Sequence, residues 1–241
     1  MADKNKIKVI AMDLDGTLTQ HKQPPEARTK ETLIALSKKY KLLMVGAGQV
    51  YRIFNQLEKF PIDILGNYGL QYATYNAEKE DLDVQRDLSF PCDRESVEKK
   101  VTALREKHGY TEFAGDNVEY HPSGCLTFPV LGTKARQEDK LAFDPDRAKR
   151  RKIYAEVCEV FDDYCVFVGG SSSFDMAPKP YNKYHALDAY CKEHGLEHEN
   201  VIYVGDDYGP GGNDESVYQS DFEFICVDDY RQFPDLVEWL L

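Results

Sequence analysis

Long apolar runs are missing from this 241-residue chain. No stretch approaches the roughly 20 apolar residues that a membrane-spanning helix needs, and Met1-Ala2-Asp3-Lys4 lacks the apolar core of a signal peptide. Positive charge is also scarce, because 30 lysines and arginines face 42 aspartates and glutamates, for a formal charge of −12. This balance offers no basic surface to nucleic acid or to an anionic membrane. We expect neither as a partner, and instead a small ligand whose negative charge is met by local cations or a metal.

Paired cysteine motifs are absent as well. The six cysteines are scattered, with no CxxC pair, and none lies beside a histidine in a recognisable catalytic motif. Disulfides and cysteine-based metal sites are therefore not expected. We predict a cytoplasmic protein with reduced thiols, as a monomer or a homodimer. The hydrophobic content of 42% is enough for a substantial core.

The first 80 residues alternate between short apolar segments and helical patterns. The predicted order is strand, helix, strand, helix, strand, over Ile7–Met12, Ala27–Lys39, Lys41–Gly46, Val50–Leu57 and Ile62–Gly66. The alternation returns later, with a helix over Lys183–Glu193, strands over Val201–Val204 and Phe222–Val227, and a helix over Pro234–Leu241. The predicted fold class is therefore α/β, with a doubly wound parallel sheet.

The region between these two blocks has a different character. Charged helical segments alternate with hairpin-like segments, over Arg94–His108, Asn117–His121, Leu126–Leu131, Pro145–Phe161 and Val166–Val168. We predict an inserted α+β domain over residues 82–175, and a core made of residues 1–81 and 176–241. The charged stretch Lys134–Arg151 is expected to be solvated loop and helix surface. A cleft between two such domains is a preferred place for a ligand.

Two aspartates stand one residue apart after the first predicted strand, in Asp13-Leu14-Asp15-Gly16-Thr17. In parallel α/β sheets a buried strand delivers its C-terminal end to a site. The turn that begins at Gly16 lets the two carboxylates diverge around one reacting centre. A carboxylate can attack phosphorus to form an aspartyl phosphate, which divides a hard displacement into two easier ones. The motif therefore indicates phosphoryl chemistry.

A later apolar strand also ends in carboxylates, in Gly205-Asp206-Asp207. Because parallel strands end at the same edge of a sheet, Asp206 is expected to converge with the first pair of aspartates. Carboxylates this close repel unless a cation lies among them, and an incompletely wrapped oxygen site favours Mg²⁺. The Gly-rich loop that follows is expected to bring Asn213 and Asp214 toward the same ion.

Phosphoryl transfer also needs a cation that neutralises charge on the phosphate oxygens. Lys183 opens a predicted helix after Pro178-Lys179-Pro180-Tyr181-Asn182, where it shares the partial positive charge of the helix amides. Lys179 is the competing candidate.

Taken together, these motifs resemble those of the haloacid dehalogenase-like phosphotransferases. DLDGTL at 13–18, the lysine that ends PKPYNK at 178–183, and GDD followed by GGND within 205–214 occur in the order and spacing of that family. The further motifs PGGND, SFD at 173–175 and GNYGL at 66–70 are similar to the eukaryotic-type phosphomannomutase branch and its sugar-phosphatase relatives. Members of that branch carry a larger inserted cap, and the resemblance covers essentially the whole chain.

The resemblance implies catalytic roles for three residues. Asp13 would be the nucleophile, and Asp15 the general acid and base that protonates the leaving oxygen and then activates water or a second hydroxyl. Lys183 would hold Asp13 and the transferring phosphate. The inserted domain would close over the sugar and exclude bulk water.

The resemblance also implies a set of metal and phosphate ligands. Asp13, Asp15 through its backbone carbonyl, Asp206 and Asp214 would bind Mg²⁺. Gly16, Thr17 and Asn213 are expected among the residues that bind the phosphate or substrate.

Two departures from the family pattern affect substrate binding. The second motif of the family ends its strand with a Ser or Thr whose hydroxyl binds phosphate, but Val45-Gly46-Ala47-Gly48-Gln49 has no hydroxyl. Backbone amides must then bind that oxygen, with Ala47 and Gly48 as candidates. Glycine allows the close approach that this needs, and a helix that begins near Val50 is expected to supply further amide donors.

The second departure lies in the insert. Phosphomannomutases use cap arginines to hold the distal phosphate of a bisphosphorylated hexose, a task that suits a planar bidentate donor. Ala114 and Cys125 stand where arginines are expected. Lys134 and Arg136 are then the remaining candidates for an anionic substrate group.

A reaction intermediate that the insert does not bind through a second phosphate is hydrolysed or lost. It is not reoriented and phosphorylated again. The sequence therefore favours a Mg²⁺-dependent phosphatase that hydrolyses a small phosphorylated metabolite, with sugar phosphates as the favoured class, through an aspartyl phosphate. One alternative is a hexose phosphomutase similar to phosphomannomutase. The other is a catalytically silent phosphosugar-binding protein, although a binder has no need of both Asp13 and Asp15.

Overall fold

The chain folds into two compact units in a computed structural model that describes residues 3–241. The first unit comprises the residues up to 88 together with 182–209 and 214–241. The second unit comprises residues 89–181 and 210–213.

The helices and strands of the first unit come from two parts of the chain, and those of the second unit lie between these parts in sequence. The first part of the first unit contains β1 (Val9–Met12), α1 (Ala27–Ser37), β2 (Lys41–Val45), α2 (Val50–Gln56), β3 (Asp63–Gly66), β4 (Gln71–Asn76) and β5 (Asp81–Asp87). The second unit contains α3 (Arg94–His108), β6 (Glu119–Tyr120), β7 (Leu126–Pro129), α4 (Gln137–Phe143), α5 (Ala148–Val160), β8 (Tyr164–Phe167) and β9 (Ser173–Pro178). The chain completes the first unit with α6 (Lys183–His194), β10 (Val201–Gly205), α7 (Glu215–Tyr218), β11 (Glu223–Cys226) and α8 (Phe233–Leu236).

The first unit is built on a seven-stranded sheet of order β11-β10-β1-β2-β3-β4-β5. The predicted α/β class is confirmed, and the five strands from β11 to β3 are parallel. The sheet is nevertheless mixed, because β4 and β5 are antiparallel to their neighbours. A short 3₁₀ turn at Asn67–Gly69 joins β3 to β4, and a parallel pair would need a much longer crossover.

The predicted domain limits of 81/82 and 175/176 differ from the limits of the units. The first cut falls at the start of β5, which pairs along its length with β4 and so belongs to the large sheet. The second cut falls inside β9, which pairs with β7 and β8 in the second unit. Residues 210–213, predicted as core, belong to the second unit, where the Gly211 carbonyl accepts a hydrogen bond from the Val168 N–H.

Both faces of the large sheet are covered, which explains why its central strands are apolar throughout. Along β1, Ile10 and Met12 join a buried cluster with Leu33 of α1. Val9 and Ala11 point the other way, into a cluster that includes residues of α6. In β1, β2, β3 and β10, charged side chains occur only at the first residue of a strand.

The second unit is a four-stranded antiparallel sheet of order β6-β7-β9-β8 with α3 and α5 packed against it. The charged stretch Lys134–Arg151, predicted to be solvated, is only partly exposed to solvent. Arg150 is completely buried, and its Nε donates to the Asp144 carboxylate over 2.8 Å. Its guanidinium also donates to the carbonyls of Gly169 and Ser173, so the charge is satisfied inside the unit.

The single helix predicted for the C-terminus is instead α8 followed by a separate 3₁₀ turn over Glu238–Leu240. Val237 lies between them, and its φ of −104° and ψ of 2° do not continue the helix. Across residues 3–241, no helix has both the length and the apolar character that crossing a membrane requires.

Candidate active site

Three carboxylates of the first unit meet at the C-terminal edge of the large sheet. Asp13 follows β1 and Asp206 follows β10, two parallel neighbours in which Met12 pairs with Val204. Asp214 precedes α7 and is completely buried. One ligand atom from each of the three aspartates lies within 4.8 Å of the other two. The sequence predicts that Asp206 converges with Asp13 and Asp15; the structure brings Asp206 together with Asp13 and Asp214, and the Asp15 carboxylate is not part of this cluster.

A buried ammonium group lies beside two of these carboxylates. Lys183 is the first residue of α6, and its Nζ lies 2.8 Å from Asp13 Oδ1 and 2.7 Å from Asp214 Oδ1. Burial opposes the charge on Lys183, but the two carboxylates outweigh burial and raise the pKa of the amine above its usual value. Lys179, the competing candidate, is exposed and belongs to the second unit.

The helix that carries Lys183 has a well-defined beginning. The Asn182 side chain caps α6 by accepting a hydrogen bond from the His185 N–H over 2.8 Å. At the other end Gly195 adopts a left-handed conformation with φ +62°, as helix-ending glycines commonly do. The local sequence therefore fixes where α6 starts and brings Lys183 to the site.

The negative charge of the cluster exceeds what one lysine neutralises. Burial, followed by the charges of Asp214 and Asp206, raises the pKa of Asp13 well above its usual value in spite of Lys183. Burial and Asp214 likewise raise the pKa of Asp206 to about 6. A hard divalent cation prefers carboxylate oxygens and would relieve this repulsion. Among the residues from 3 to 241 this is the one group of three or more acidic, histidine or cysteine side chains with metal-binding geometry.

Gly16 and Thr17 contact the cluster through Asp206. The Thr17 hydroxyl donates to Asp206 Oδ1 over 2.8 Å. Gly16 has φ +96°, and a Cβ at this position would lie 2.3 Å from Asp206 Oδ2. The sequence predicts both residues at the phosphate. In the structure both orient Asp206, which is a structural reason for their presence.

Tyr203 was not identified from the sequence as part of the site. Its hydroxyl donates to Asp214 Oδ1 over 2.6 Å, while the Asp207 N–H donates to Asp214 Oδ2 over 3.0 Å. Burial raises the pKa of Tyr203 well above its usual value, so the phenol stays a donor. In the sequence this tyrosine is one more residue of an apolar strand. The one signal for it is that alternate residues of a strand point to the same face, which places Tyr203 on the face of Gly205.

Asp15 lies outside the cluster, and four donors satisfy its carboxylate. Oδ1 accepts from the Lys22 N–H and from Gln56 Nε2, each over 2.7 Å. Oδ2 accepts from both terminal nitrogens of Arg52, each over 3.2 Å. Burial would raise the pKa of Asp15, but the hydrogen bonds of Gln56 and the Lys22 N–H, with the charge of Arg52, hold it below the usual value. Sequence reasoning missed Arg52 and Gln56, although their spacing of four puts them on one face of α2.

The loop between β2 and α2 differs from the arrangement predicted for it. The Val50 N–H, the expected amide donor, is already bonded to Gln71 Oε1 over 3.1 Å. Gly48 contributes its carbonyl to the Asn67 N–H over 2.8 Å. A Cβ on Gly48 would lie 2.2 to 2.7 Å from atoms of the Arg52 guanidinium. One of the predicted amide donors is thus occupied and a cation stands beside Gly48, while phosphate binding by the backbone of Ala47 and Gly48 remains a prediction.

The other predicted substrate residues belong to the second unit. Lys134 is exposed, and exposed Arg136 forms a two-pronged ion pair with Asp139, with both bonds 2.8 Å long. Asn213 lies in the 210–213 segment assigned to the second unit. The first unit by itself therefore brings together Asp13, Asp206, Asp214 and Lys183, and the part played by these three residues remains a prediction.

Comparisons with known proteins agree with this fold. Residues 10–214 match the family model described as haloacid dehalogenase-like hydrolase. Curated relatives include the phosphomannomutase of Encephalitozoon cuniculi (strain GB-M1), 26% identical over 93% of this chain and 91% of that protein. Another is the phosphomannomutase of Saccharomyces cerevisiae (strain ATCC 204508 / S288c), 24% identical over 87% of this chain and 84% of that protein.

Solved structures show the same fold at low sequence identity. A truncated IMP-nucleotidase of Plasmodium falciparum superposes with a TM-score of 0.68 at 14% identity, over 99% of this chain and 71% of that one. The sugar phosphatase BT4131, of subclass IIB, superposes with a TM-score of 0.62 at 15% identity, over 97% of this chain and 100% of that one. The family match covers most of the chain and includes both carboxylate motifs, and on that ground the chain belongs to the haloacid dehalogenase-like hydrolase family, with phosphomannomutases among its relatives.

Proposed function

We propose that this chain is a Mg²⁺-dependent phosphatase of small phosphorylated metabolites, with sugar phosphates as the favoured substrates. The observation that carries the proposal is the convergence of Asp13, Asp206 and Asp214 around one edge of the sheet, with Lys183 bonded to Asp13. Such a site combines a nucleophile, a place for a divalent cation and a fixed ammonium group. Those are the parts that in-line phosphoryl transfer requires.

The proposed reaction has two displacements. An oxygen of the Asp13 carboxylate attacks phosphorus, the bond from phosphorus to the leaving oxygen breaks, and Asp15 delivers a proton to that oxygen. Water then attacks the aspartyl phosphate, Asp15 takes the proton of the water, and the bond between phosphorus and Asp13 breaks. Lys183 holds Asp13 in place and neutralises charge on the phosphoryl oxygens. Mg²⁺, held by Asp13, Asp206 and Asp214 and by the Asp15 carbonyl, would supply the remaining positive charge.

Asp15 must leave its present partners and take up a proton from solvent before it can protonate the leaving oxygen. The Asp15 carboxylate is the acceptor in all four of these hydrogen bonds. This suits an ionised carboxylate, because a protonated Asp15 would need an acceptor for its own proton and these four partners are donors. Binding of substrate is therefore expected to change the surroundings of Asp15.

The second candidate function is a hexose phosphomutase. The names of the curated relatives favour it. Ala114 and Cys125 in the second unit count against it, since neither can bind a second phosphate as an arginine does. We assign substrate selection to the second unit, as the cap of the enzyme.

The test is release of phosphate from a panel of sugar phosphates and other phosphorylated metabolites, with and without Mg²⁺. We expect Mg²⁺-dependent release that Asp13→Asn abolishes and that Asp15→Asn strongly reduces. Asp235→Asn serves as the matched control, because it removes an exposed carboxylate of the first unit that pairs with Arg28.

A parallel assay follows isomerisation of hexose 1-phosphates with a bisphosphate activator. Isomerisation without net release would replace the phosphatase by the mutase. Silence of the correctly folded wild-type chain in both assays would instead favour a phosphosugar-binding protein.

A further inference from the structure

The loop after β2 lacks the hydroxyl that its position calls for, and an arginine occupies the space beside it. The Arg52 guanidinium is so close to Gly48 that a serine Cβ there would lie 2.2 Å from its Nε and 2.4 Å from one Nη. The corresponding direction at Gly46 is filled by the apolar side chain of Ile53, whose Cδ1 would lie 2.7 Å from a Cβ. A cation has therefore taken the place of a side chain at residue 48.

This arginine stands at the edge of the sheet where the chemistry is expected. Strands β1 and β2 are parallel, with Met12 paired to Met44, so the loops that follow them emerge side by side. Arg52 confirms this proximity through its bonds to Asp15, which lies 37 residues away in sequence. A phosphate transferred to Asp13 would therefore lie at the same edge of the sheet as the guanidinium.

The guanidinium is held without being buried. Its side chain is 42% exposed, and Arg52 and Gln56 line a cavity of about 500 Å³ together with Lys22, Pro24, Asn55 and Glu58. The bonds to Asp15 are long, at 3.2 Å each. Exposed ion pairs of this kind contribute little to stability. An arriving phosphate, with more negative charge than one carboxylate, can therefore compete for the guanidinium.

We propose that Arg52 binds the substrate's phosphate in place of the missing hydroxyl, and that its transfer from Asp15 to the phosphate releases Asp15 Oδ2, while Oδ1 keeps its bonds to the Lys22 N–H and to Gln56. The inference rests on the proposed phosphoryl chemistry at Asp13. Arginine suits the task because its planar fork can bind two phosphate oxygens at once. Before substrate binds, the same fork occupies Asp15 Oδ2.

The first experiment measures binding of inorganic phosphate in the presence of Mg²⁺ by calorimetry on the whole chain, which needs no turnover. Loss of a charge-assisted pair of hydrogen bonds is expected to weaken binding by Arg52→Ala roughly ten- to hundredfold. Arg28→Ala is the matched control, because it also removes an exposed arginine paired with an aspartate, and it should leave binding within about twofold. Equal binding by wild type and Arg52→Ala, or none by wild type, would overturn the proposal.

The second experiment compares Gly48→Ser, Arg52→Ala and the double variant in hydrolysis of p-nitrophenyl phosphate. Gly48→Ser alone should impair binding, because the new side chain collides with the guanidinium. In the double variant the vacated space accepts the serine, and the hydroxyl should restore much of the phosphate affinity that Arg52→Ala loses. Arg52→Lys, which keeps the charge without the fork, should fall between wild type and Arg52→Ala. Circular dichroism checks that each variant is folded.

A purely positioning role of Arg52 gives a different result. It would lower kcat while KM and inhibition by inorganic phosphate stay unchanged, and Gly48→Ser would not rescue Arg52→Ala. That outcome would refute phosphate binding by Arg52 while Asp13-dependent turnover left the proposed function intact. Turnover that survives Asp13→Asn would refute the proposed function, and the calorimetric comparison would still decide the role of Arg52.

Discussion

Gly16 combines a backbone conformation and a close contact that no other residue type tolerates. Its φ of +96° disfavours residues with a side chain, and a Cβ would lie 2.3 Å from Asp206 Oδ2. Gly16→Ala should therefore displace the Asp206 carboxylate and cost roughly 1–3 kcal/mol of stability. We expect loss of Mg²⁺-dependent activity, measured as a rise in the Mg²⁺ concentration for half-maximal rate.

Gly195→Ala separates these two effects. Gly195 also has positive φ, at +62°, but no atom lies within 4 Å of the position its Cβ would take. This variant should lose stability through the backbone and keep the Mg²⁺ dependence of wild type. If both alanine variants affect Mg²⁺ equally, the contact with Asp206 is not what requires Gly16.

Helix α6 links its own stability to the position of the active-site lysine. Asn182 caps the helix and Lys183 is its first residue, so fraying of the first turn moves the ammonium group away from Asp13. Asn182→Ala should cost about 1 kcal/mol and lower Tm by roughly 2–4 °C. It should also lower kcat. Steady-state kinetics measure the change in kcat, and a thermal melt measures the change in Tm.

A second capped helix provides the control for this prediction. Asp93 caps α3 in the second unit by accepting from the Ser96 N–H over 3.1 Å. Asp93→Ala should lower stability by a similar amount and leave kcat unchanged, while Asn182→Asp should keep both properties because it retains the accepting oxygen. A reduced kcat in Asp93→Ala would show that activity follows stability in general rather than the position of Lys183.

The stability of the whole chain should depend on the charge of the carboxylate cluster. The pKa of Asp206 is raised to about 6 by burial and by Asp214, so its ionised form disfavours folding. This penalty is absent below the usual pKa of about 4 and grows until the pH passes the raised pKa. Without metal, this term therefore makes the chain more stable near pH 5 than near pH 7.5.

Mg²⁺ should reverse that penalty at neutral pH. At a concentration about a hundred times Kd, binding contributes about 2.7 kcal/mol, which corresponds to a rise in Tm on the order of 5–10 °C. Thermal melts at pH 7.5 with and without Mg²⁺, at constant ionic strength, measure this. Asp206→Asn should melt higher than wild type without metal and gain little from Mg²⁺. An equal gain in both proteins would indicate non-specific screening of the net charge of −12.

Local sequence patterns were sufficient for the parts of the molecule that local interactions determine. The apolar strands β1 and β10, each followed by aspartate, are buried on both faces, and this makes them recognisable as continuous apolar runs. The caps of α3 and α6 and the glycines that follow them depend on neighbours within a few residues. Parallel pairing then required Asp13 and Asp206 to share a sheet edge, so the centre of the site followed from the strands.

Long-range packing decided the rest. The mixed sheet depends on β5 returning along β4, and no short pattern distinguishes such a strand from the start of an insert. Tyr203 reaches Asp214 across 11 residues and Arg52 reaches Asp15 across 37, and contacts of this kind depend on how helices and loops pack at the sheet edge. The sequence showed that residues 46–48 have no hydroxyl, and the folded chain was needed to show that the Arg52 guanidinium stands in its place.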